Sequence, residues 1–306
     1  MSKKQRETID QMLRHGALDL GGEVEEQRDL FAEMLSANPL PEDVHTESGT
    51  LGGVPVVTCT IDGMTPIGTI LYFHGGAYAL GSAALSAGLA SELARRSGAR
   101  AVSVDFALAP EHPYPAALDD AVATYQALLD DGTPSNEVVL AGESSGGGLA
   151  LATTCEIIST GSPPPAAVYV ASPWADLTTT GASMTTKADA DPSVTPDGLR
   201  RRARDYAGDH DLADSRISPV FADLAGFPPL LIQVGGNEVL LDDATRLATR
   251  AAAGGVPVTL EVTPDVPHVF VGFAGMLDEA DQALAKAGQF IHANPANYKP
   301  TTPGPG

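Results

Sequence analysis

From residue 67 onward the chain alternates short apolar runs with helix-length amphipathic runs, and few architectures accept that order. Strand-like segments fall at 67–73 (IGTILYF), 101–106 (AVSVDF), 137–141, 166–171 (AAVYVA), 229–234 (PLLIQV) and 258–263 (VTLEVT). Helix-like segments fall at 83–97, 116–130, 147–160, 240–253 and 275–292. This spacing predicts the α/β class: a mostly parallel sheet with helices on both faces. Ahead of it, 54–60 (VPVVTCT) and 67–73 read as a hairpin around Asp62-Gly63, and 5–15 and 23–37 as two amphipathic helices. Asn38-Pro39-Leu40-Pro41 stops the second.

Parallel sheets hold ligands at the carboxyl ends of their strands. The residues just after each strand are therefore informative: His74-Gly75-Gly76-Ala77, then Asp105 and Leu108-Ala109-Pro110-Glu111-His112-Pro113, then Ser144, then Asn237-Glu238, then Pro267-His268. The chemistry-bearing residues collect at one edge. The sharpest of these signals is Gly142-Glu143-Ser144-Ser145-Gly146, set between the strand-like Val138-Val139-Leu140 and a helix start at Gly147. A strand that turns into a helix through G-x-S-x-G makes a tight bend, with the serine in strained backbone and its hydroxyl clear of the sheet. The first amides of the helix then lie beside that hydroxyl, where they favour an anion.

A serine nucleophile needs a base to take its proton and a carboxylate to orient the base. In α/β chains with such a bend the order is serine, acid, histidine. After Ser144, His268 lies in a loop directly following a core strand, whereas His210 sits in an acidic stretch and His292 at the end of a helix. The acid must follow strand 229–234, where Glu238, Asp242 and Asp243 are the candidates. Glu238 precedes the helix and is preferred; the two aspartates fall in its first turn, where acidic residues favour the dipole. The His74–Ala77 run offers backbone donors for an oxyanion, with Gly75, Gly76, Ala77 and Ser145 as the candidate residues. A phosphate loop is not indicated, since no G-x-x-x-x-G-K-[ST] occurs.

Taken together, the chain resembles the hormone-sensitive-lipase family of α/β hydrolases, in its bacterial esterase branch. His74-Gly75-Gly76-Ala77 is similar to that family's HGGG loop, Leu108–Ala117 (LAPEHPYPAA) to its LAPEHPFPAA segment, and Gly142–Gly147 (GESSGG) to GDSAGG. Gly235–Leu240 stands where the family carries GxxDxL, and Val266–Phe270 where it has its histidine loop. The likeness covers roughly residues 50–292 in order. Ala77, Ala107, Glu143, Ser145 and Glu238 depart from the family's usual glycine, arginine, aspartate, alanine and aspartate. The resemblance implies an α/β-hydrolase fold with a helical cap and a serine carboxylesterase that cleaves short- to medium-chain esters without metal or cofactor. Lactone hydrolysis, deacetylation of a metabolite and a hydrolase fold used as a ligand receptor are the alternatives; the presence of His268 beside Ser144 argues against the last. Tyr78, Trp174, Phe270 and Phe273 are candidates to line the pocket.

The organisation expected is N-terminal cap helices at 1–45, core at 46–173, a cap insertion at 174–226 holding one helix near 196–207, core at 227–293, and a Pro- and Gly-rich disordered tail at 294–306. A net charge of −21 argues against nucleic acid and an anionic membrane, and suits small neutral substrates. The N-terminal MSKKQRETIDQMLRHGALDL has no apolar h-region, no run of about 18 apolar residues occurs, and the two cysteines lack metal spacing. A cytoplasmic protein is expected. Such families often pair through the final strand, here 258–263, whose apolar content permits a homodimer without requiring it.

Overall fold

The computed structural model describes residues 2–297. Two helices, α1 (Ser2–Arg14) and α2 (Val24–Ser36), precede strands β1 (Val44–Leu51), β2 (Val54–Ile61) and β3 (Thr69–Phe73). Then come α3 (Ala87–Ser97), β4 (Arg100–Val104), α4 (Ala116–Asp130), β5 (Val138–Glu143), α5 (Ser145–Ser159) and β6 (Ala167–Ala171). The remainder is α6 (Ser183–Thr186), α7 (Pro196–Ala207), β7 (Leu230–Gly235), α8 (Leu241–Ala253), β8 (Val258–Thr263) and α9 (Asp278–Asn297). Among the described residues, eight strands form one sheet in the order β1-β2-β4-β3-β5-β6-β7-β8. From β4 to β8 every pairing is parallel, so the expected α/β class and helix-covered parallel sheet hold.

The expected hairpin is corrected. β2 does not pair with β3; it pairs antiparallel with β1 and with β4. All five residues of β3 are buried, as a central parallel strand requires, and a strand covered on both faces belongs inside the sheet. β2 instead turns back through Gly52 and Gly53, both at positive φ, as a two-residue hairpin turn demands. Its partner β1 (VHTESGTL) is silent in the sequence because it is a mostly exposed edge strand with no apolar alternation to reveal it. The tail is corrected in part: α9 runs on through 294–297, while 298–306 lie outside the described residues.

The pleat of β3 divides the core. Leu71 and Phe73 join Val102, Leu140 and Val170 in one cluster with Leu118 of α4, Leu149 of α5 and Leu247 of α8. Ile70 and Tyr72 join Val139 and Tyr169 in the other, with Leu93 of α3, Leu284 of α9 and Ile9 of α1. Each fully buried Leu, Ile, Val or Phe contributes about 1.5–3 kcal/mol, which makes this two-sided core the platform on which the strand ends are held. The insertion after β6 forms α7 where its helix was expected; Thr195 caps it by accepting from Gly198 N at 3.2 Å, with Pro196 in its first turn.

Candidate active site

Strand β5 ends at Glu143 and helix α5 begins at Ser145, so Ser144 alone makes the bend, at φ 54 and ψ −123. The flanking glycines explain how. A Cβ on Gly146 would lie 2.0 Å from the carbonyl oxygen of Phe73, and one on Gly142 2.4 Å from that of Gly146. Only bare backbone lets strand and helix meet there. The strained serine is fastened from outside: its N–H donates to Ala171 O at 2.9 Å, and its carbonyl accepts from Trp174 N at 2.9 Å.

His268, on the loop after β8, places Nε2 2.9 Å from Ser144 Oγ. Its Nδ1 is 2.8 Å from Oε2 of Glu238, which follows β7. With Nδ1–H donating to the carboxylate, Nε2 is left to accept the serine proton. Glu238 is fully buried. Burial pushes its carboxyl above the usual range, against the lowering pull of His268 and Ser172. Burial likewise opposes a charged His268, but the hydrogen bond and charge of Glu238 outweigh it and hold the imidazole above its ordinary value. The two rival aspartates are engaged elsewhere. Asp243 accepts from the Ala175 and Asp176 amides, and Asp242 from Ser183 N.

The loop after β3 departs from one expectation. The Gly75 N–H donates to Glu143 Oε1 at 2.7 Å, so this amide is committed and is removed from the oxyanion set. Ala77 and Tyr78 both have positive φ, which coils the loop tightly. The amides of Gly76, Ala77 and Ser145 donate to no acceptor among the described residues. Buried His74 stacks on Phe106 at 4.3 Å between ring centroids and shares a 2.7 Å hydrogen bond with Gly75 O; burial pushes its imidazole below the ordinary value. Tyr72 OH donates to the other oxygen of Glu143, whose carboxyl burial raises to about 7.

Of the four pocket candidates, Tyr78 and Trp174 come together, 6.1 Å between ring centroids. Tyr206 of α7 stacks on Tyr78 at 3.7 Å, extending the group. Phe270 packs with the other core cluster, among residues such as Leu277 and Leu284, and Phe273 is half-buried at its margin. Three contributors were missed in the sequence. Ser172 directly follows β6 at the active edge and donates to Glu238 Oε1 at 2.6 Å; reading the strand end there, as for the other strands, would have found it. Tyr206 had only its place on α7 to mark it. Arg28 of α2 donates to the carbonyls of Ala79 and Ala109 and pairs with Glu111 through two nitrogens, tying the N-terminal helices to the loop beyond Tyr78; nothing local in the sequence signals it. Among the described residues no group of three or more His, Cys, Asp or Glu is placed to hold a metal ion.

Comparison with known proteins shows similarity to hydrolases and esterases. A family described by its alpha/beta hydrolase fold matches residues 70–272. An acetyl-hydrolase of Streptomyces hygroscopicus is 43% identical, over 79% of this chain and 84% of its own length. An esterase of Acinetobacter venetianus is 36% identical, over 72% of this chain and 73% of its own. The crystal structure of an esterase from the bacterial hormone-sensitive lipase family is 40% identical and superposes with a TM-score of 0.92, covering 95% of this chain and 98% of that one.

Proposed function

The chain belongs to the hormone-sensitive-lipase family of α/β hydrolases and is a carboxylesterase, and from that premise we propose that it cleaves small neutral esters of short to medium acyl chain through a serine acyl-enzyme. The observation that carries this reading is the unbroken hydrogen-bonded line from Ser144 through His268 to Glu238, at 2.9 and 2.8 Å. His268 takes the Ser144 proton as Oγ attacks the ester carbonyl. The carbonyl oxygen becomes an oxyanion, met by the Gly76, Ala77 and Ser145 amides. Collapse breaks the bond to the alkoxy oxygen, which leaves as an alcohol with the proton from His268. Water then repeats the sequence on the acyl-enzyme, His268 again accepting and returning a proton.

Helices α1 and α2 together with residues 174–226 act as the cap, a reading supported by Arg28 and Tyr206 reaching the loop that carries the oxyanion donors. Acetyl esters are the favoured substrates within the class, because an acetyl-hydrolase is among the relatives and aromatic side chains crowd the region of Tyr78. The free thiols Cys59 and Cys155 suit a reducing cytoplasm. Among the described residues no helix is long and apolar enough to cross a membrane. An exposed β8 edge with Val262 open to solvent favours pairing of two copies.

The test is labelling by a fluorophosphonate together with turnover of p-nitrophenyl esters of rising chain length and of ε-lactones. Ser144 is expected to be the labelled residue, and Ser144→Ala to lose activity on the order of a millionfold. Retained turnover in that variant would overturn the serine mechanism, and faster turnover of lactones or long chains than of acetate would overturn the substrate assignment.

A further inference from the structure

Ser172 stands one residue beyond β6, fully buried, with its backbone at φ 48. Its N–H donates to Gln233 O at 2.7 Å, which holds that unusual conformation in place. The side chain then makes two contacts at once. Its hydroxyl proton goes to Glu238 Oε1 at 2.6 Å, and its oxygen accepts the Val269 N–H at 3.1 Å. Val269 is the residue after His268 and is itself at positive φ. One hydroxyl thus bridges the carboxylate on the β7 loop and the chain that carries the imidazole on the β8 loop.

We infer that Ser172 is a positioning residue for ester cleavage, whose hydroxyl locks Glu238 and the His268 loop into one rigid unit and favours the ionised form of the carboxylate. The inference rests on the serine mechanism proposed above. Glu238 has no contact with solvent, so its charge is stabilised by three donors: Ser172 O–H and Gly235 N–H on Oε1, and His268 Nδ1–H on Oε2. Among the other charged groups, Asp191, from the segment between α6 and α7, raises the carboxyl of Glu238, while Asp191 and Glu143 both raise His268 by favouring its protonated form. Removing the Ser172 donor therefore makes Glu238 take up a proton more readily. Protonated Glu238 no longer holds the His268 tautomer in which Nε2 is free to accept from Ser144.

Two variants separate this role from support of the backbone. Ser172→Ala removes the hydroxyl, and Ser172→Gly removes it while relieving the positive-φ strain. Both are to be compared with the parent and with Ser144→Ala, as folded protein by circular dichroism, for kcat and KM on p-nitrophenyl acetate across about pH 5 to 9. Both Ser172 variants are expected to lose about 10- to 100-fold in kcat, the span of one hydrogen bond to a charged group, with KM within about twofold. The acidic limb of kcat/KM is expected to move to higher pH. A Ser172→Gly protein with the parent's kcat and limb, or a loss equal at every pH, overturns the positioning role while an inactive Ser144→Ala leaves the serine mechanism standing. An active Ser144→Ala overturns both.

Discussion

The Gly75 amide donates to Glu143 Oε1 at 2.7 Å, so the carboxylate one residue before Ser144 anchors the turn that carries the Gly76 and Ala77 amides. The ordinary value of this carboxyl is 4.5 and burial raises it to about 7 in the folded chain. Between those values the folded chain holds a proton that the unfolded chain has released. Stability from this group is thus fullest below about pH 4.5 and falls as pH rises towards about 7. Glu143→Gln keeps an acceptor for Gly75 without the titration. Its melting temperature relative to the parent is expected to be higher at about pH 8 than at about pH 5, by about 2 °C or more, measured by calorimetry.

Glu238→Gln should move activity the opposite way along the pH axis from the Ser172 variants. The hydrogen bond and charge of Glu238 hold His268 above its ordinary value, against the effect of burial. Without that charge the imidazolium is less stable and the acidic limb of kcat/KM shifts to lower pH, while kcat falls about a thousandfold or more. A limb that stays in place would show that the buried carboxylate does not govern the base.

Gly146→Ala sets a new Cβ 2.0 Å from Phe73 O and 2.5 Å from His74 O, both backbone atoms of the strand and loop that frame the site. Relief requires moving β3 or α5, and a loss of about 3 kcal/mol or more is expected by urea unfolding, with activity abolished. Gly132→Ala, at positive φ with nothing within 4 Å of the new atom, should cost only about 1 kcal/mol and leave turnover intact.

Arg28→Ala cuts α2 from the carbonyls of Ala79 and Ala109 and from Glu111. A loss of about 1–2 kcal/mol is expected, along with faster proteolysis of the segment before β1 and a rise in KM. Arg28→Lys should restore little, because an ammonium cannot span the carboxylate and the two carbonyls as the guanidinium fork does.

The parts of this molecule legible in sequence are those where backbone geometry forces residue type. Gly142 and Gly146 are glycines because neighbouring carbonyls occupy the space of any side chain, and that alone announces the bend at Ser144. His268 and Glu238 are legible because strand ends converge on one edge of a parallel sheet. β1 is hidden because an exposed edge strand is bound by its ladder to β2 and needs no apolar face. The hairpin misreading has the same origin, since adjacency in sequence favours β3 while the ladder partner is invisible. Gly75 reads as an oxyanion donor because its amide looks like its neighbours' in sequence; only the reach of Glu143 across the bend distinguishes it. Arg28 lies 51 residues from the Ala79 carbonyl it binds, a distance over which no local pattern speaks.

Ser144 is the sole residue between β5 and α5. The join has no slack, so chain length is as constrained there as residue identity. One inserted amino acid would turn α5 by about 100° about its axis, swinging Leu149 and Ile157 out of the cluster they share with Leu140 and Val170. Drift in specificity is therefore channelled into segments that tolerate a change of length, such as the stretch between β6 and β7, and away from the corner where bonds are broken.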